Sequence, residues 1–400
     1  MTNKKSKVSN VPNLRFPGFD GEWEIKKLGE VMDFKITNSF SRENLNYELG
    51  TVKNIHYGDI HTKFKTLFNI KKEIVPFINE EMNLRRISDE NYCREGDIIF
   101  ADASEDLNDV GKSIEIINVN GEKLLSGLHT LLARPKANIF HLGFNGYLFK
   151  SNQVRTQIQK ESQGSKVLSI NVGRISKIDL SFPAVVEQEK ISTLFSLFDK
   201  RIHTQNKIIK QLETLIKGLY QKIFEAGRFQ FSVLPLKLLC IIKKGEQINA
   251  SELSETGLYY VMNGGISPSG YYSEYNSEAK TISISEGGNS CGYVQFNNSK
   301  FWYGGHCYTL NNIHNSIKNK YLYYYLKANE NKIMALRVGS GLPNIQKSAL
   351  EKFEVKIPNI YVQEKVILAL DSLSNKVAIE SKLLKKYQQQ KKHLLQNLFI

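Results

Sequence analysis

Four hundred residues, 41% of them hydrophobic, are enough for two or three domains with cores of their own. The longest apolar runs fall short of a membrane span, and the polar, lysine-bearing first ten residues lack the apolar centre of a signal peptide, so a cytoplasmic location is expected. A net charge of +14, spread along the chain and not gathered in a tail, points to a polyanionic partner; a merely soluble basic protein is the plain alternative. Cys93, Cys240, Cys291 and Cys307 show no CxxC pairing and read as reduced thiols, with a zinc site from Cys291, His306 and Cys307 as a minor alternative.

In chain order, residues 1–10 are expected to be disordered, and 11–19 form a proline-punctuated extended lead-in. The stretch 23–31, Trp-Glu-Ile-Lys-Lys-Leu-Gly-Glu-Val, enters the first globular region as a short helix or strand. Up to about residue 150 the pattern is mixed. Short β-type runs at 96–100 and 113–117 are separated by Gly, Asn and Asp turns, and 144–159 reads as helical.

Then comes a long amphipathic helix. Steps of four and three from Ile191 give Phe195, Phe198, Ile202, Gln205, Ile209, Leu212, Ile216, Leu219 and Ile223, apolar at every position but one. About 39 residues at ~1.5 Å each predict a rod on the order of 58 Å, closed by Gly227. A second globular region opens at 231–236 in a pattern like that at 23, displaced by about 208. It carries β-like runs at 280–285 and 292–296 and a helix at 321–332.

The seam then recurs. Adding 175 to each number gives Val366, Leu370, Leu373, Val377, Glu380, Leu384, Tyr387, Lys391, Leu394 and Leu398, so that the polar exception Gln205 falls on the polar Glu380. The repeat reaches back through Gln188-Glu189-Lys190 and Gln363-Glu364-Lys365, Pro183 and Pro358, Ile170 and Ile345, to Gly164-Ser165 and Gly339-Ser340. So narrow, long and duplicated a stripe predicts two helices packed along each other, with the polar pair fixing register; an amphipathic helix on an ordinary core is the alternative. A weak echo links 127–131 with 305–310 and predicts a shared strand, with His129 and His306 structural rather than catalytic. The resulting segments are a lead-in (1–19), a globular domain (20–163), a repeat with its long helix (164–227), a second globular domain (228–338) and a second repeat with its helix (339–400).

Catalytic signatures are absent from the sequence. There is no phosphate-binding loop, Gly339-Ser340-Gly341 is followed by Asn344 where a dinucleotide motif needs its third glycine, and neither an Asn/Asp-Pro-Pro-Tyr methylation motif nor a nuclease carboxylate–lysine cluster occurs. Such a chain binds and does not catalyse.

The lead-in 12–19 with 23–30, the segment Gly341-Leu342-Pro343-Asn344-Ile345 and the Pro-then-Gln-Glu-Lys entry to each helix resemble type I restriction-modification specificity subunits over essentially the whole chain. The resemblance implies an α+β fold: two mixed α/β target-recognition domains separated by two long helices that form an antiparallel coiled coil, a pseudo-two-fold tandem repeat. It further implies that each domain reads one half of a split, asymmetric site in double-stranded DNA. Two modification subunits that bind S-adenosylmethionine would dock on the chain. Restriction subunits using ATP and Mg2+ would join them, leaving this chain with no cofactor and no membrane contact of its own.

Base readout needs donors and acceptors at groove edges. Candidates in the first domain are Asn54, Tyr57, Lys63, Lys65, Arg85 and Arg86. In the second they are Asn263, Gly264, Gly265, Ser267, Tyr271 and Tyr272 of one glycine-rich loop, with Lys280, Asn297, Asn298 and Arg337. Two other readings stay open: a non-catalytic adaptor whose coiled coil joins two protein-binding modules, and a stand-alone enzyme with diverged motifs.

Overall fold

In the computed structural model, residues 10–136, 138–224, 230–339, 341 and 343–400 are described; the expectations for residues 1–9, Gly227, Ser340 and Leu342 lie outside them. The chain divides into two compact units, one running up to Thr204 and taking in Leu384–Ile400, the other spanning Gln205–Leu383. No helix among the described residues is long and apolar enough to cross a membrane.

The first unit centres on a five-stranded sheet in the order Met32–Lys35, Thr130–Pro135, Ile98–Ala101, Ser113–Asn118, Leu67–Asn69, antiparallel but for the last pair. Strand Ile98–Ala101 is apolar throughout because both its faces are covered. Ile98 and Phe100 join one core with Trp23, Leu28 and Phe195, while Ile99 and Ala101 join another with Ile60, Phe68 and Leu124. A four-stranded sheet, Lys123–Ser126, Val52–Ile55, Phe77–Ile78, Leu45–Asn46, completes the domain.

The second unit holds an antiparallel sheet in the order Ile241–Lys244, Cys307–Asn311, Thr281–Ser285, Val294–Asn297, and a three-stranded sheet of Gly270–Tyr272, Tyr259–Met262 and Trp302–Tyr303. Its four strands repeat the connectivity of the first four in the other domain. The expected shared strand is real: the echo at 127–131 and 305–310 leads into Thr130–Pro135 and Cys307–Asn311, which hold the same place in their sheets. The two openings match as well. Glu24–Lys27 pairs with Asp179–Phe182, and Ser232–Pro235 pairs with Glu354–Ile357, with Glu24 opposite Phe182 and Ser232 opposite Ile357.

The long helices run Val185–Phe224 and Ile360–Asn397, the first 40 residues long, or roughly 60 Å. Pro183 precedes the first helical turn, and Glu187 there takes a forked ion pair from Arg15 at 2.7 and 2.8 Å. The motif Gln-Glu-Lys has a specific purpose. Gln188 is fully buried, accepts from His141 N and donates to the carbonyls of Ile139 and Pro183; Gln363 repeats this with Lys318 N, Ser316 and Pro358, all six bonds at 2.8–2.9 Å. Each glutamine thereby ties the start of its helix to its own domain and satisfies backbone groups that would otherwise be buried unpaired.

Every seam position is buried or half-buried, while neighbours such as Lys200, Lys207 and Lys210 are exposed. In the first unit Ile191, Phe195, Phe198 and Ile202 share it with Leu384 and Tyr387. There Phe195 stacks on Phe399 at 5.8 Å, Asp199 takes Lys391, and Arg201 lies 5.3 Å over Tyr387, an antiparallel order. In the second unit Gln205 donates to both the carbonyl (3.1 Å) and the carboxylate of Glu380, and Ile216 packs with Val366 and Leu370 farther along. Ile209, Leu212, Leu373 and Val377 are half-buried between these levels, as a two-helix seam requires.

Candidate nucleic-acid interface

In the first domain, helix Tyr57–Thr62 begins where strand Val52–Ile55 ends, and it gathers side chains from three segments. Asp59, 1% exposed, takes ion pairs from Arg42 (2.7 Å) and Lys63 (2.9 Å), and Lys63 also reaches the Tyr47 hydroxyl (3.0 Å). Burial pushes the Asp59 carboxyl up, but the hydrogen bonds from Arg42 and Lys63 outweigh it and hold the group below the usual carboxylate range. Two cations are thus pinned at the surface beside the Tyr47 ring. Tyr57 lies among His56 at 4.6 Å, His129 at 5.3 Å and His61 at 6.0 Å. Basic groups interleaved with rings of this kind can hold phosphate and stack on bases.

Lys65, Arg85 and Arg86 are exposed, and the guanidinium groups of both arginines are without an ion-pair or hydrogen-bond partner among the described residues. Asn54 is different. It is fully buried on its strand, its amide oxygen accepting from Asn38 at 2.7 Å, so its side chain stays inside the domain and offers nothing to a base edge.

In the second domain the glycine-rich loop turns back on the shared strand. Asn263 accepts from the His306 N–H at 3.2 Å, and Gly264, at φ +83°, sits where a Cβ would come within 2.9 Å of the His306 carbonyl. Gly265 is half-buried, Ser267 is exposed, and Tyr271 and Tyr272 lie half-buried on an edge strand, Tyr272 meeting Trp302 edge-on at 5.2 Å. Lys280, Asn298 and Arg337 are exposed.

Asn297 is a second correction: at 1% exposure it donates to Thr281 O and Ser283 Oγ and accepts from Tyr260 Oη, a satisfied interior amide. The zinc alternative also falls away. Cys291 and Cys307 are buried free thiols, and no cluster of three or more His, Cys, Asp and Glu able to hold a metal occurs among the described residues.

Sequence reasoning missed Arg42, Tyr47, Lys244, Tyr275 and Lys300. The last lies 4.0 Å over the Tyr275 ring and pairs with Glu278. A scan for lysine or arginine near tyrosine would have found part of this set, but Arg42 and Asp59 are brought together only by the fold.

Both halves of the chain match the type I restriction modification DNA specificity domain, over residues 20–214 and 230–389. A protein of Methanocaldococcus jannaschii carrying the name of the MjaX type I restriction enzyme specificity subunit is 23% identical, aligned over 98% of this chain and 94% of its own. A type I specificity subunit named in Mycoplasma pneumoniae is 32% identical over 155 residues, 36% of this chain and 41% of its own. Among solved structures, the type I restriction-modification S subunit of M. genitalium superposes with a TM-score of 0.66 at 18% identity, covering 98% of this chain and 99% of that one. A chain solved in work on complex assembly and conformational transition of the type I R-M system gives 0.56 at 15% identity, covering 96% and 98%. At those identities the likeness is one of fold.

Proposed function

Because the chain belongs to the family of type I restriction-modification DNA specificity subunits, we propose that each of its two target-recognition domains reads one half of a bipartite, asymmetric site in double-stranded DNA. The observation that carries this reading is the contrast within each domain. The sheet order, the opening strand pair and the buried glutamine are duplicated, while the exposed rims carry different side chains. A common frame with two different rims suits two different half-sites.

The long helices take the other tasks. Their length sets the unread spacer, and their outer faces dock two modification subunits. Phe16, Val186, Leu194 and Leu197 line an apolar groove in one unit, and Tyr361, Leu368 and Ile379 are exposed apolar side chains in the other. S-adenosylmethionine belongs to the modification subunits, ATP and Mg2+ to the restriction subunits, and this chain contributes recognition to their chemistry.

Co-expression with the cognate modification subunit, followed by long-read mapping of methylated adenines, tests the reading. A single split motif with a fixed gap is expected, together with binding by the complex that weakens steeply with salt. A stable complex that methylates nothing and binds DNA without salt dependence returns the case to a protein-joining adaptor.

A further inference from the structure

The two domains share one side-chain pair at the same place on their rims. Strand Ile98–Ala101 is followed by Asp102, and strand Thr281–Ser285 by Glu286. The partner strands begin just after His129 and His306, and the registers put Thr130 opposite Ala101 and Cys307 opposite Ser285. Acid and histidine therefore continue the same ladder in both domains, with Asp102 N bonded to His129 O at 3.1 Å and Glu286 N to His306 O at 2.9 Å. Their side chains face each other too, Asp102 Oδ1 to His129 Nδ1 at 3.2 Å and Glu286 Oε2 to His306 Nδ1 at 3.9 Å. Each acid is further held through its carbonyl by a repeat residue, Ile170 N or Ile345 N, both at 2.8 Å. Around the pair the domains diverge: His56, Tyr57 and His61 in one, Lys244 and a glycine-walled cleft in the other.

The chemistry at this position favours a hydrogen-bond donor. At His129 the Asp102 carboxylate on Nδ1 selects the tautomer in which Nδ1–H donates, which leaves Nε2 with a free lone pair; at His306 the Glu286 carboxylate, 3.9 Å from Nδ1, favours the same tautomer by charge without a direct hydrogen bond. Both histidine side chains are more than half exposed, at 52% and 62%. Glu286 is 8% exposed; its Oε1 is occupied by Lys244 (2.6 Å) and Tyr308 Oη (3.1 Å), whereas its Oε2 is buried without a hydrogen-bond partner. It lies beside a cleft of about 470 Å³ walled by Gly264, Gly265, Gly287 and Gly288, where a nucleic acid can come close to backbone. A base amino group would meet acceptors at this spot.

We propose that His129 and His306 are specificity-determining residues, each accepting a hydrogen from the exocyclic amino group of an adenine or cytosine in its own half-site, with Asp102 and Glu286 as positioning residues. The proposal rests on the DNA-reading function above and adds the contact that both domains make in the same way.

The test uses the complex with its modification subunits and compares the methylated motif of wild type, His129→Ala, His306→Ala, His306→Gln and Glu286→Gln. Each alanine variant is expected to keep methylating while losing about tenfold of its discrimination at one A or C position. His129→Ala should affect one half-site and His306→Ala the other. The amide oxygen of His306→Gln reaches the Nε2 position and should restore the preference, and Glu286→Gln should relax the same base as His306→Ala. Unchanged motifs in both alanine variants overturn the proposal, as does uniform weakening with a salt slope shallower by about one, which marks a phosphate contact. A wild-type complex that assembles but methylates nothing and binds DNA without salt dependence overturns the DNA-reading function itself, so the two failures are distinguishable.

Discussion

The two domains follow one plan at different levels of elaboration. The first adds a fifth strand, Leu67–Asn69, to the shared four-strand order and carries a second sheet of four strands where the other domain has three. The difference also shows in charge burial. Glu115 on strand Ser113–Asn118 lies opposite Ile98; the matching position, opposite Ile282, is Phe296. Glu115 is fully buried and accepts from Gly143 N and Gly146 N, both at 2.6 Å, while Phe296 is half-buried with Lys320 4.1 Å over its ring. Conserving the frame while exchanging a buried carboxylate for a ring means that the two domains should fail under different conditions.

The core where each helix meets its domain should give the largest effect. Phe195 and Leu370 stand 175 positions apart and are both fully buried, Phe195 between Tyr147 at 5.0 Å and Phe399 at 5.8 Å. Phe195→Ala should cost about 4 kcal/mol and Leu370→Ala about 3 kcal/mol, against about 1 kcal/mol for Ile209→Ala or Leu384→Ala at half-buried seam positions. Urea unfolding followed by hydrogen exchange in each unit reads all four. Equal costs along the helix would mean that the seam, and not the domain contacts, holds the long helices.

The second effect separates the domains by pH. Burial raises the Glu115 carboxyl from 4.5 to about 7, against the opposing pull of two backbone N–H groups. A carboxyl with a raised folded-state value gives its full stability below about 4.5 and loses it as the pH rises through about 7. The first unit should therefore weaken by about 3 kcal/mol between those limits, while the second has no such contribution at Phe296. Hydrogen exchange at pH 5 and pH 7.5 checks this, and Glu115→Gln should flatten the profile. A profile unchanged by the substitution would place the pH dependence elsewhere.

How far the sequence could be read follows from how the repeat offset drifts. At the opening strands Glu24 corresponds to Ser232, an offset of 208; at the strand-end acids Asp102 corresponds to Glu286, 184; at the histidines, 177; and from Ile170 onward, 175. Each drop marks residues present only in the first domain. Gap-free comparison therefore finds the helix seam, Gln188 with Gln363, and the openings, but it leaves the histidine echo weak and passes over Asp102 with Glu286. The individual contact residues are hidden for another reason. Asn54 and Asn297 have the composition of readout residues, and only the sheets show that one faces Asn38 and the other Thr281 and Ser283. Arg42 meets Asp59 across 17 positions with no periodicity to announce it.

The smallest effect bears on the polar pair Gln205 and Glu380 in the seam. Gln205, 5% exposed, stands where every neighbouring seam residue on its helix is apolar, and it donates to the carbonyl and carboxylate of Glu380, which Lys376 also holds at 2.9 Å. Hydrogen bonds from Gln205 and then Lys376 lower the Glu380 carboxyl, so the group stays ionised at neutral pH. A polar seam pair in a coiled coil trades stability for register. Gln205→Leu should therefore leave the chain folded and raise Tm by about 2 °C, since Lys376 still neutralises the carboxylate. The loss should appear in the function: with register less strictly set, the methylated motif of the complex should admit a second spacer length at low frequency. A Tm that falls would show the pair to be a stabilising contact, and a single spacer with raised Tm would show that the two domain anchors, through Gln188 and Gln363, set the register alone.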